Sequence, residues 1–225
     1  MKRKVLHWTL GIAGALIGVV LLAFFSIDPA AKFWAERRIK AETGLEATIG
    51  KLTVGVASSS LQIQNLMLKN KPEFGAGPLI EMPELFVAYD REAMRAGKLK
   101  LKVVRVEIAR IHVVENKDGK KNIDDLQKRP AKIRGAKGSR RPTPSRDPAL
   151  SLEGIDSLDV TIGNLQFTNL RDPSQNLDQP LSIRNEMFKD LKTKLDYETA
   201  AALLTIKAGA SFLFSGGFAN FGHLV

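Results

Sequence analysis

From Leu45 onward, apolar residues fall mainly at every second position, the period of a β-strand with one buried face. Ile49, Leu52, Val54, Leu61, Ile63, Leu66 and Leu68 are separated mostly by polar or small residues. Residues 79–89 form another extended run, in which Pro83 marks an edge or a bulge. The strongest signal is residues 98–115: Leu99, Leu101 and Val103, then Val104, Val106 and Ile108, then Ile111 and Val113. Its parity slips twice, so it is either one bulged strand or two strands. Residues 158–170 and 202–214 alternate again. In the second run Leu204, Ile206, Ala208, Ala210, Phe212 and Phe214 share a face, which predicts a C-terminal edge strand. One pattern, apolar-x-polar-apolar-x-apolar, recurs at Ile49 to Val54, Ile63 to Leu68, Ile108 to Val113 and Ile162 to Phe167. The unequal intervals exclude a fixed-period solenoid and suggest one bulged strand design reused in a single sheet.

Helical signals are fewer. Residues 30–43 read as a short helix, with Pro29 at its first turn and Gly44 as its stop. Residues 91–96 read as one helical turn closed by Gly97. Residues 5–27 are an uncharged apolar run behind Met1, Lys2, Arg3 and Lys4. About 20 apolar residues cross a hydrocarbon core of ~30 Å. The run exceeds the roughly 7–15 apolar residues of a signal peptide, and Ser26-Ile27-Asp28-Pro29 makes a poor cleavage sequence. The expectation is an uncleaved transmembrane anchor. Lys2, Arg3, Lys4 and Trp8 on one side, and Phe33 and Trp34 on the other, are its candidate membrane-interface residues. Lys32, Arg37, Arg38 and Lys40 nearly balance the N-terminal cations, so charge alone leaves the orientation open.

Composition adds limits. The chain has 225 residues, a formal charge of +10 and no cysteine. Thiolate catalysis, Cys-based metal sites and a disulfide framework are therefore excluded. Much of the positive charge lies in a Gly-, Pro- and Ser-rich stretch that includes Lys128, Arg129, Lys132, Arg134, Lys137, Arg140, Arg141 and Arg146. This reads as a flexible basic linker over residues 127–148. No aromatic residue interleaves its charges, and no nucleic-acid partner is expected. Residues 116–120 form a turn around Asp118-Gly119. A calcium loop would need an acidic first ligand where Val114 stands. Asp124-Asp125 reads as a helix start after that turn rather than a cation site. The three histidines, His7, His112 and His223, are scattered. No nucleophile elbow, zinc-protease helix, phosphate loop or dinucleotide fingerprint occurs. The chain is read as a non-enzyme, with no catalytic residue, metal ligand or cofactor.

A series of short segments carries a resemblance. They are Thr43-Gly44-Leu45 leading into Ile49-Gly50-Lys51-Leu52, Ser60-Leu61-Gln62-Ile63 leading to Leu66, and Asn70-Lys71-Pro72-Glu73-Phe74. Pro83-Glu84-Leu85 with Tyr89-Asp90, Gly97-Lys98-Leu99, Asn116-Lys117-Asp118-Gly119-Lys120 and Asn122-Ile123-Asp124-Asp125-Leu126 complete it. In order and spacing, residues 32–126 resemble the AsmA family of bacterial envelope proteins. The resemblance implies a single-pass inner-membrane protein with a cytoplasmic N-terminus and a periplasmic body. It further implies a curved β-groove like that of bridge-type lipid transfer proteins, and a role in phospholipid movement or outer-membrane assembly. Family members are usually much longer. A dozen strands at ~4.8 Å each reach only about 60 Å, so this chain alone is not expected to bridge a periplasm. It is read as a short member, a truncated one or a piece of a longer assembly.

The expected fold is mainly β with an N-terminal transmembrane helix. A curved antiparallel sheet forms an open groove, with short helices at its start and in its connections. The expected divisions are a cytoplasmic tail (1–4), the anchor (5–27), an AsmA-like β region (28–126), the linker (127–148) and a further β region (149–225). Candidate groove-lining residues are Ile49, Leu52, Val54, Ile63, Leu66, Leu68, Leu99, Leu101, Val103, Val106, Ile108, Ile111 and Val113. An acyl chain needs such continuous apolar lining, since burying a CH₂ is worth ~0.8 kcal/mol and has no orientation. The same residues equally make a closed core, and the sequence leaves both open. Expected partners are phospholipid and the inner membrane, with outer-membrane assembly proteins or a second copy meeting the C-terminal edge strand. The alternative function is an envelope scaffold or regulator that binds proteins through an open sheet edge. A C-terminal alkaline phosphatase fusion should be active in cells, and a C-terminal green fluorescent fusion dark. The reverse pattern overturns the periplasmic placement.

Overall fold

The computed structural model describes residues 31–55, 57–75, 77–124 and 151–214. The anchor run 5–27, the linker 127–148 and residues beyond 214 lie outside them. Helix α1 (Ala31–Thr43) stops where the sequence predicts. Gly44 adopts φ 73°, a left-handed cap, and its N–H donates to Lys40 O at 2.8 Å. Ala35 and Ile39, one turn apart, are buried in the core. Strands β1 (Ala47–Gly55), β2 (Ser60–Lys69) and β3 (Pro78–Tyr89) follow. Next come the short helix α2 (Arg91–Arg95), then β4 (Lys98–Glu115), β5 (Ser151–Asn169), β6 (Leu177–Leu191) and helix α3 (Lys194–Phe214).

The strands form one six-stranded sheet in sequence order, curved and not closed on itself. Four neighbouring pairs are antiparallel. The exception to the expected antiparallel sheet is β4–β5, which is parallel over its whole length. Ser151 N–H donates to Gly97 O at the opening of β4, whereas Glu115 closes that strand. Residues 116–150 therefore lead from one end of β4 back to the other, as a parallel pair requires. An 18-residue strand spans about 60 Å at ~3.3 Å per residue.

The apolar side chains of β1–β5 change parity at one level of the sheet. The change falls between Ile49 and Leu52, Ile63 and Leu66, Met82 and Leu85, Ile108 and Ile111, and Ile162 and Leu165, and all of these residues join one core cluster. The register aligns the intervening positions. Ile49 and Lys51 pair with Leu66 and Gln64 around Gly50 and Asn65. Leu66 and Gln64 pair in turn with Met82 and Glu84 around Pro83. Ile108 and Arg110 pair with Ile162 and Asn164 around Ala109 and Gly163. Asn65 is left-handed at φ 54°, and a Cβ on Gly163 would stand 2.6 Å from Ala109 O. The recurring sequence pattern is thus a transverse crease that bends the strands and keeps their apolar residues on one face. A second slip in β4, at Lys102, falls between the pairs Leu101–Tyr89 and Val103–Ala88. So residues 98–115 are one bulged strand.

The predicted C-terminal edge strand does not form: residues 194–214 are helical. Alternation of Leu204, Ile206 and Ala208 misleads because this helix is apolar on both sides. Ala200, Ala201, Leu204 and Ala208 pack inward, while Leu203 and Ile206 face outward. Alanine and leucine also favour a helix over a strand. The sheet therefore ends at β1 and β6. On the β1 edge, Glu36 Oε1 of α1 accepts the Ile49 N–H at 2.8 Å, which blunts that edge. Among the described residues, no helix is long and apolar enough to cross a membrane.

The crease carries a stability prediction. Gly163→Ala forces a methyl against the Ala109 carbonyl and should destabilise by about 1–3 kcal/mol. Gly77→Ala meets its nearest atom, His112 Nδ1, at 3.8 Å and should be near neutral. Equal melting temperatures for the two variants would remove the crease as a constraint.

Candidate functional site

The concave face is apolar along the whole sheet. Ile49, Ile63, Leu66, Leu68, Leu99, Leu101, Ile108 and Ile111 are its buried members, and Leu52, Val54, Val106 and Val113 pack against them half-buried. Val103 is the exception among the expected lining residues. The bulge at Lys102 turns it to the opposite face, beside Ala88 and Ser157. Burial is unequal along the face. Leu101 is 1% and Ile108 8% exposed, as in a closed core. On the same side of the crease, Leu52, Val54, Val106, Leu158 and Phe188 are only partly covered.

Helix α3 packs along the C-terminal part of β6, at one edge of this face. The Asp196 carboxylate accepts the N–H groups of Lys192 (2.9 Å) and Thr193 (2.7 Å). The bond from the Thr193 N–H, then that from Lys192, holds its pKa below the usual 3.8. Tyr197 Oη donates to Leu191 O at 3.0 Å. Farther along, Lys207 pairs with Glu186 of β6. Leu158 and Phe188 form a cross-strand pair beneath this stretch of β5 and β6. Neither stood out in the sequence. Leu158 lies in a recognised alternating run, but β6 hides Phe188 by breaking its own alternation at Asn185 (φ 50°) and Asp190 (φ 56°).

The opposite end of the sheet is fastened by polar loops. Asn122 is buried, and its Oδ1 accepts the Val114 N–H at 3.1 Å. Its Nδ2 donates to Asn70 Oδ1 (2.7 Å) and His112 O (2.9 Å). Lys120 reaches Glu73 at 2.9 Å and stands 5.6 Å from the Phe74 ring centroid. Two loop segments that carry the family resemblance, residues 70–74 and 116–122, therefore clamp onto each other. Asp124 Oδ2 accepts the Lys121 N–H at 2.8 Å, a local cap; Asp125 lies outside the described residues. His112 Nε2 and Thr168 Oγ1 are 2.9 Å apart. Burial, then the nearby Arg110 cation, lowers the His112 pKa below its ordinary 6.5.

The convex face is solvated. Gln62 donates to Glu84 at 2.6 Å, Arg105 lies 3.8 Å from both Glu84 and Asp159, and Arg110 meets Glu81 at 3.4 Å. Such exposed pairs add ~0–1 kcal/mol each and form no pocketed chemistry. On α1, Phe33 is 65% and Trp34 37% exposed. The other candidate interface residues, Lys2, Arg3, Lys4 and Trp8, lie outside the described residues. Among the described residues, no three His, Asp or Glu side chains group as a metal site. The arrangement offers an apolar trough flanked by helices, with a buried polar clamp at one end. No family model, curated protein or solved structure matches the chain.

Two acid transitions follow. The unfolded chain protonates His112 before the folded one does, so stability falls as pH drops through about 6.5 and levels off below the lowered folded value. His112→Gln should flatten that limb in melting curves taken across pH. Asp90, Asp172 and Asp196 all have carboxyl pKa values below the usual 3.8. Their contribution holds above that value and disappears as pH falls through the lowered ones. A His112→Gln profile identical to the parent's would show that the ring is not the source of the first limb.

Proposed function

We propose that this chain is an AsmA-like, membrane-anchored envelope protein that holds phospholipid acyl chains against the concave face of its sheet. The single observation that carries the reading is the unbroken apolar face of an unclosed sheet, partly uncovered at Leu52, Val54, Val106, Leu158 and Phe188. Acyl chains suit such a surface because it offers contact without directional partners. The apolar run 5–27 supports an inner-membrane anchor, and exposed Phe33 and Trp34 suit a bilayer interface just beyond it. The resemblance supports a cytoplasmic N-terminus and a periplasmic body, with phospholipid and outer-membrane assembly as its field of action. No catalytic step is assigned.

A second reading has its own support. The near-complete burial of Ile49, Ile63 and Leu101 is what a self-filled core gives, and such a body serves as a non-enzymatic scaffold or regulator of assembly proteins. The β1 edge beyond the Glu36 contact is then its docking strand. Mass spectrometry of the body after Ile27, purified without detergent, separates the two. Stoichiometric phospholipid, reduced by Leu158→Asp with folded circular dichroism retained, supports the first. A folded but lipid-free body supports the second. Leu101→Asp should unfold the body in either case, because an unpaired carboxylate at a fully buried position is strongly destabilising.

A further inference from the structure

Helix α3 packs along β6, at one edge of the trough, in a way that suits removal. From Tyr197 to Lys207 the helix rises about 15 Å. The strand between their partners, Leu191 and Glu186, covers about 17 Å. The two run antiparallel, with Phe188 on the strand between the tie points. The near end is held by hydrogen bonds from Tyr197 and to Asp196. The far half is tied by the Lys207–Glu186 pair, whose side chains are 51% and 25% exposed; such pairs are weak and screened by salt.

Apart from Tyr197 and Leu204, the helix presents small residues to the protein, and it turns three large ones to water. Ala200, Ala201 and Ala208 face the sheet with Leu204, whereas Leu195 (69% exposed), Leu203 (46%) and Ile206 (65%) face outward. A methyl group buries little area, so this seat grips less than the outer face would. Lifting it also drags little charge across the trough: from Thr199 to Phe214, Lys207 is the one ionisable residue.

We propose that the seam between α3 and β5–β6 is the acyl-chain site and that α3 is its lid. The lid hinges at residues 193–197, latches through Lys207 and Glu186, and lifts so that one chain lies on Val106, Leu158 and Phe188. This rests on the lipid-handling reading and adds where the chain sits and what controls its access.

The chain has no cysteine, so Glu186→Cys with Lys207→Cys supplies the sole thiols for a short bis-thiosulfonate bridge that a reductant removes. In that full chain, p-benzoylphenylalanine replaces Phe188, or, as a control, the outward Met187. The protein is reconstituted in phosphatidylethanolamine–phosphatidylglycerol vesicles containing radiolabelled phosphatidylglycerol, then illuminated. The expected result is a labelled adduct at position 188 that falls several-fold on bridging, returns with reductant, and has no counterpart change at 187. Lys207→Gln, which opens the latch without any bridge, should raise the adduct in an otherwise cysteine-free chain. An adduct indifferent to both the bridge and Lys207→Gln overturns the lid. No adduct at 188 in any state overturns the site. Either result leaves the lipid-handling reading to the co-purification experiment, which fails only on a folded, lipid-free body.

Discussion

One constraint governs the sheet: a strand that slips by one residue turns every following side chain to the other face. In this protein five adjacent strands slip at the same level, so their neighbours stay matched. Had Ile162 to Leu165 slipped alone, the β4 residues paired with them would have parted from the core. The chemistry along the line suits a backbone fault. Gly50 and Gly163 have no side chain to clash, Asn65 accepts a left-handed backbone, and Pro83 has no N–H to leave unpaired. Ala109 is small enough for its carbonyl to approach the adjacent strand. The shared fault turns what would be five separate defects into one bend.

The bend explains how a single sheet buries an entire face. A flat sheet of this size would need a second layer, whereas a creased and curled one supplies part of its own cover. The rest comes from helices at the two terminal strands, α1 with Ala35 and Ile39, and α3 with Ala200 and Ala201. The two covers differ in grip. The α1 cover inserts an isoleucine that is 1% exposed and adds a carboxylate bond to the Ile49 N–H. The α3 cover inserts Leu204 and Tyr197 only partly buried, with small alanines between them, and leaves Leu195 and Leu203 outside.

Much of this was legible in the sequence. Period-two alternation located β1 to β5, Pro29 and Gly44 framed α1, and the repeated six-residue pattern announced the crease because a backbone fault must leave a parity slip. Four features were not legible, each for a physical reason. Helix α3 is apolar on opposite faces, so its residues fit a period of two as readily as one of 3.6. The parallel β4–β5 pair depends on the course of residues 116–150, which no local pattern encodes. Val103 looked like core because apolarity does not reveal whether a bulge falls at Lys102 or one residue later. Within the candidate site, Leu52, Val54 and Val106 were found, while Phe188 lay in a strand whose positive-φ residues scramble its period.

The clamp and the lid stand at opposite ends of the same trough. At one end, residues 70–74 and 116–122 are interlocked through Asn70, Asn122 and Lys120, and a buried amide that loses its partners is left unsatisfied at a cost of about 1–3 kcal/mol. Opening that end means breaking several such bonds together. At the other end, α3 is held by its N-terminal capping bonds, the Tyr197 hydrogen bond and one part-exposed ion pair. The family resemblance rests partly on the clamp loops, so those motifs report how the closed end is built rather than where a ligand sits. With the proposed lid, a trough fixed at one end and hinged at the other has a direction built into it. On the proposed lipid-handling reading, an acyl chain enters from the α3 side and its path ends against the clamp.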